Sequence, residues 1–225
     1  VTLAFASVGA TENLMMASVF AQGTTTIDNA AREPEIVDLA NLLNEMGAKV
    51  TGAGSPVIEI EGVSELHPVT HAVVGDRIEA GTFLAIGGLC GDPVTVKGFD
   101  PRHLGLVLKK YEQMGLHIER GNRECTCWRE GSIKPTDIQT LPFPGFPTDM
   151  QAQMLALAAR ARGTSVLAEN VFESRFNHVP DLCRMGADIL VSGRVAIVRG
   201  VRALHGARVT AEDLRGGAAL ILAAL

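Results

Sequence analysis

Apolar positions in this chain follow two rhythms, one helical and one strand-like, and glycines mark the changes between them. After Ser7-Val8-Gly9-Ala10-Thr11-Glu12, the residues Leu14, Met15, Val19 and Phe20 recur at helical spacing, and Gly23 closes the run. Thr24 to Ile27 are strand-like. Pro34 suits the first turn of a second helix. Ile36, Leu39, Ala40, Leu43 and Met46 form its stripe, and Gly47 is placed to end it. Two short alternating segments, Lys49 to Thr51 and Val57 to Ile60, follow and stop at Gly62.

The same order returns twice. Helix starts fall at Asp76, Asp149 and Asp213, and helix-ending glycines at Gly23, Gly91 and Gly163. The second helices end in Met46-Gly47, Met114-Gly115 and Met185-Gly186, and the last strands end at Gly62, Gly131 and Gly200. Gly62-Val63 and Leu66-His67 even match Gly200-Val201 and Leu204-His205. Each repeat reads strand, helix, strand, helix, strand, strand. A period of about 70 residues is too long for common solenoids and is the size of a small α/β module. The pattern predicts helices buried together under an outer layer of sheet, three repeats, and the first helix of a fourth. Val73-Val74-Gly75 is a candidate domain boundary.

Composition narrows the chemistry. The 225 residues are 47% hydrophobic but only 4% aromatic, so the core must be built from Leu, Val, Ile, Ala and Met. A net charge of -5 offers no basic footprint for nucleic acid. No apolar run reaches the length of a membrane span; Phe83 to Cys90 stops at Gly91-Asp92-Pro93. Cys90, Cys125, Cys127 and Cys183 are too few for a disulfide framework, and Cys125-Thr126-Cys127 lacks the gap of metal and redox pairs. Reduced thiols, a cytoplasmic location, and no metal or other cofactor are the expectation. The chain starts without Met and stops inside an apolar helical run, which suggests a piece of a longer protein.

Candidate chemistry gathers at helix starts. Leu141 to Gln153 carries three prolines and a glycine, then turns at once into a helical pattern, so Thr148 or Asp149 lies at or near an N-cap. Such a carboxylate either caps the helix or does chemistry. Helix N-termini also attract anions, and Ser7-Val8-Gly9 offers a hydroxyl and a glycine for close approach. Arg175 and Arg215 precede or open helices, where a cation opposes the dipole and needs an anionic partner. Asp213 or Glu173 could be that partner. His178 is either a proton shuttle or a packed histidine.

Taken together, Ser7 to Asn13, Ala30 to Asp38, Asp76 to Thr82, Phe146 to Gln153 and Val171 to Pro180 resemble the enolpyruvyl transferase family, in its UDP-N-acetylglucosamine 1-carboxyvinyltransferase branch. The resemblance implies an α/β fold of two inverse α/β barrel-like domains built from repeated βαβαββ units. Residues 1–73 would be the last unit of the first domain, and 74–225 most of the second, two units plus the start of a third. The implied reaction moves the enolpyruvyl group of phosphoenolpyruvate to the sugar 3-hydroxyl and releases phosphate, for peptidoglycan synthesis. Asp149 would take the hydroxyl proton, and Asp213 would serve the reacting centre. Ser7, Val8, Gly9, Asp149 and Val171 would contact UDP-N-acetylglucosamine, and Arg175 and Arg215 would hold phosphoenolpyruvate. No cysteine here matches the family's loop cysteine, so the chain alone is expected to be inactive. A sister activity on shikimate 3-phosphate ranks below this, because that branch lacks the Arg32-Glu33-Pro34-Glu35 and Phe146-Pro147-Thr148-Asp149 stretches.

Overall fold

The two rhythms resolve into copies of one topology. The computed structural model describes residues 1–225. They divide into two units, Val1–Val74 with Pro142–Pro144, and Gly75–Leu141 with Gly145–Leu225.

In the first unit, α1 (Val8–Ser18), β1 (Thr24–Asp28), α2 (Pro34–Glu45), β2 (Lys49–Thr51) and β3 (Val57–Glu61) follow in order. The strands form an antiparallel sheet in the order β1-β3-β2. Period-two alternation turns Ile27, Ile58 and Ile60 inward, onto Met15 of α1 and Ile36 of α2. These side chains are fully buried and make up the centre of this core.

The second unit holds two repeats and one further helix. The first repeat runs α3 (Arg77–Cys90), β4 (Val94–Lys97), a 3-10 turn at Pro101–Leu104, α4 (Gly105–Gln113), β5 (Leu116–Arg120) and β6 (Glu124–Arg129). The second runs β7 (Ile138–Gln139), a 3-10 turn at Thr148–Met150, α5 (Gln151–Ala159), β8 (Thr164–Ala168), α6 (Val179–Arg184), β9 (Asp188–Ser192) and β10 (Val195–Arg199), and α7 (Leu214–Ala223) follows. The sheets are ordered β4-β6-β5 and β7-β8-β10-β9, so the three core strands of every repeat pair in the same way.

Backbone bonds repeat with the topology. The N–H groups of His67, Lys134 and His205 each donate to a methionine carbonyl, of Met46, Met114 and Met185 respectively, at 2.9 Å. The glycine after each methionine has positive φ: 105° at Gly47, 84° at Gly115 and 94° at Gly186. Only glycine adopts that region cheaply, which fixes the Met-Gly pair at each helix end. Val63 and Val201 donate equivalently to Val19 and Ala159, both at 2.8 Å.

The strand expected at the head of each repeat is residual. Thr2 makes one parallel bridge to Asp28, β7 has two residues, and no strand precedes α3. Pro68 and Pro135 lie in these connections and lack ladder donors.

All nine residues of α5 are buried, among them Leu155, Ala156, Leu157 and Ala158 at 0% exposure. A helix apolar on all sides needs neighbours on all sides. It packs on α7, on α3 and on strands β8 and β10. No helix is long and apolar enough to cross a membrane.

Candidate functional site

The proline-braced segment does not deliver Asp149 as a cap. Pro147, Thr148, Asp149 and Met150 form a single 3-10 turn closed by Met150 N–H to the Pro147 carbonyl at 3.0 Å, and α5 begins only at Gln151. No side-chain cap bond forms at either start. The Asp149 carboxylate turns to cations instead: Arg175 Nη2 donates to Oδ1, and Arg215 Nη2 to Oδ2 at 3.3 Å. The partner expected for Arg175 and Arg215, Asp213 or Glu173, is therefore not the one either side chain takes. Glu173 pairs with Arg194 at 3.3 Å, and Asp213 is spent on α7. Sequence spacing cannot show that loops 26 and 66 residues from Asp149 return to it.

Asp213 is the cap in this site. Its Oδ1 accepts the Arg215 and Gly216 amides at 2.9 and 2.7 Å. This bond fixes the first turn of α7 and with it the root of Arg215. Asp76 caps α3 in the same way, through Ile78 and Glu79.

Arg175 is held from several sides. Nη1 donates to Thr148 Oγ1 at 2.7 Å, and the guanidinium carbon lies 4.9 Å from the centre of the Phe172 ring. Thr148 Oγ1 donates in turn to Glu169 Oε2 at 2.8 Å. Glu169 Oε1 accepts from Thr140 Oγ1 at 2.8 Å and from the Val171 and Phe172 amides at 2.9 and 3.1 Å. Since the Val171 N–H is spent, only its carbonyl is open to a ligand.

His178 packs between these parts with 5% of its surface exposed, and its Nε2 has no partner. Burial pushes the imidazole down to about 4; the Asp213 charge opposes this and the Arg175 charge adds to it. Burial thus favours the neutral, packed form of the ring.

Ser7, Val8 and Gly9 lie in the first unit. Ser7 caps α1 through Ala10 N–H at 3.3 Å. The first-turn amides of Val8 and Gly9 have no intrahelical acceptor. A side chain added at Gly9 would meet nothing within 4 Å, so the backbone there is open to close approach. No group of three or more His, Cys, Asp or Glu side chains is placed to hold a metal ion.

The residues that sequence reasoning missed are Glu169, Thr140, Phe172 and the Thr148 hydroxyl. One signal was available. Ser165 and Leu167 turn inward on β8, and the same alternation carries to Glu169, an acidic residue in an inward slot.

Several known proteins are similar to this chain. UDP-N-acetylglucosamine 1-carboxyvinyltransferase 1 of Carboxydothermus hydrogenoformans is 53% identical over 99% of this chain and 53% of its own length. The protein of the same name from Symbiobacterium thermophilum is 56% identical over 99% of this chain and 51% of its own length. The chain thus spans about half the length of the curated relatives it matches. Among solved structures, the enolpyruvyl transferase NikO from Streptomyces tendae superposes with a TM-score of 0.86 at 28% identity, over 96% of this chain and 52% of that one. EPSP synthase from Acinetobacter baumannii shares the fold, with a TM-score of 0.70 at 20% identity, over 99% of this chain and 55% of that one. The model of one family, EPSP synthase (3-phosphoshikimate 1-carboxyvinyltransferase), matches residues 1–225. The fold expected from the repeat is the fold found, and the chain belongs to this family of enolpyruvyl transferases.

Proposed function

We propose that the protein carrying this chain transfers the enolpyruvyl group of phosphoenolpyruvate to the 3-hydroxyl of UDP-N-acetylglucosamine and releases phosphate, a step toward peptidoglycan in the cytoplasm. The observation that carries the reading is one carboxylate, Asp149, shared by two arginines of different loops. Two guanidiniums offer donors matched to a phosphate and a carboxylate on one small substrate. Arg175 and Arg215 hold phosphoenolpyruvate in this reading. Ser7, Val8 and Gly9 contact the sugar nucleotide through α1 amides, and Val171 contacts it through its carbonyl.

Asp149 accepts the proton of the attacking hydroxyl. A carboxylate is a weak base toward an alcohol, so the proton moves late, as the sugar oxygen bonds to the substituted enolpyruvyl carbon. In that addition the neighbouring methylene carbon takes a proton from a general acid, and it gives one back as the bond from the substituted carbon to the phosphate oxygen breaks, which restores the double bond and frees phosphate. Orientation and general-base catalysis of this kind contribute about 10²–10⁴-fold. Asp213 serves the reacting centre by fixing Arg215. Residues 1–73 form the last repeat of a first domain in this reading, and 74–225 most of a second.

Support for the sugar nucleotide over shikimate 3-phosphate comes from sequence: relatives named for the former are 53–56% identical, whereas the solved EPSP synthase is 20% identical. The test is phosphate release from phosphoenolpyruvate by the complete protein. Release should require UDP-N-acetylglucosamine. Release with shikimate 3-phosphate and none with the sugar nucleotide overturns the reading.

A further inference from the structure

Glu169 carries a charge to a place where charge is expensive. Its exposure is 0%, and no cation bonds to it directly. A buried carboxylate is tolerated only when its lone pairs meet donors. Here it meets four: the Thr140 and Thr148 hydroxyls and the Val171 and Phe172 amides. We infer that Glu169 is a positioning residue that sets Arg175 against Asp149, acting through the Thr148 hydroxyl and the Phe172 backbone.

The direction of each bond follows from what the groups can do. A carboxylate only accepts and a guanidinium only donates. The Thr148 O–H must therefore point at Glu169 Oε2, which leaves its lone pairs to Arg175 Nη1 at 2.7 Å. Oε1 meanwhile holds the Phe172 amide at 3.1 Å, and the Phe172 ring lies 4.9 Å from the Arg175 guanidinium carbon. Two supports of Arg175, one polar and one aromatic, thus hang from a single buried side chain. The third is Asp149 itself. The inference rests on the proposed function for its substrate, and phosphate binding reads the setting of Arg175 apart from turnover.

Glu169→Gln tests the relay. The amide oxygen can take the three-donor side, which keeps the grip on Val171 and Phe172. The amide NH2 then faces Thr148 and reverses that bond, and the hydroxyl hydrogen is left without an acceptor. Inorganic phosphate should bind about five- to tenfold more weakly by calorimetry, the net size of one ordinary hydrogen bond. UDP-N-acetylglucosamine affinity should stay within about twofold. Thr148→Val should weaken phosphate binding equally, and Thr148→Ser, which keeps the hydroxyl, should restore it. That pair reads the relay even if Glu169→Gln fails to fold. Combining Glu169→Gln with Thr148→Val should add nothing to either alone.

Equal weakening of both ligands, or additive effects in the double variant, overturns the inference and leaves Glu169 a staple of the loop. Thr148→Val binding phosphate as tightly as the unsubstituted protein also overturns it, as does an unsubstituted protein that binds no phosphate. Phosphate binding without sugar-dependent turnover sinks the proposed function alone.

Discussion

Replacing Asp149 with Asn should move binding and turnover in opposite directions. The carboxylate now takes one N–H from Arg175 and one from Arg215, so an arriving anion meets a site already holding a negative charge. Asn keeps the size and one acceptor oxygen and removes the charge. A unit charge about 5 Å from the anion is worth about 1 kcal/mol in water and about 3 at an effective dielectric of 20. The Asp149 side chain is 38% exposed and the two arginines 24% and 22%, which places the site between those limits. A gain of about 1–2 kcal/mol follows, or phosphate bound roughly five- to thirtyfold more tightly. Turnover should fall about 10²–10⁴-fold, because the proton acceptor is lost. Calorimetry with inorganic phosphate reads the first effect, and sugar-dependent phosphate release the second. Weaker phosphate binding in the Asn variant would mean that Asp149 organises the arginines rather than competing with the ligand. Unchanged turnover would reject its role as base.

Further predictions concern stability and reactivity. His178 sits near 4 when folded and near 6.5 when unfolded, so the unfolded chain binds a proton that the folded chain refuses. Its contribution is intact above pH 6.5 and is lost as pH falls toward 4, by about 3 kcal/mol at about 1.4 per unit. Denaturant titrations of His178→Asn should show a correspondingly shallower acid loss; an identical pH slope would refute this. A side chain at Gly200 would lie 1.7 Å from the Ala161 carbonyl oxygen. Gly200→Ala should therefore lower Tm by more than about 5 °C, and a calorimetric Tm within a degree of the parent would contradict the packing. Gly9→Ala meets no atom within 4 Å, so Tm should hold or rise slightly while UDP-N-acetylglucosamine binding weakens. Burial pushes the Cys125 thiol up to about 11 and that of Cys127 to about 12, whereas Cys90 and Cys183 are exposed. A thiol reagent should label only the exposed pair in the native protein, and rapid labelling of all four would show that the β6 core opens readily.

The repeat was legible because its markers are local. Met-Gly pairs, capping aspartates and period-two strands each act within a few residues, and the structure places Gly47, Gly115 and Gly186 at equivalent turns. The leading strands were over-read, because alternation shows that a segment is extended and not that a neighbour will pair with it. At the candidate site, Asp149, Arg175, Asp213 and Arg215 were legible as residues of helix starts, and their wiring was not. Asp149 and Asp213 both look like caps in sequence, yet only Asp213 caps, since two arginines compete for Asp149. Glu169 escaped notice because its four donors come from three separate segments, Thr140, Thr148 and the pair Val171-Phe172.

Helix α5 has no face turned to water. Its amide protons can meet solvent only when the surrounding layers come apart, so their exchange should track the global opening of the second unit. Because Asp149 sits in the turn that leads into this helix, an anion captured there stabilises the closed state by mass action. Deuterium uptake at Leu155 to Ala159 should then slow in step with phosphate concentration, which turns the deepest stretch of backbone into a gauge of site occupancy that needs no catalysis.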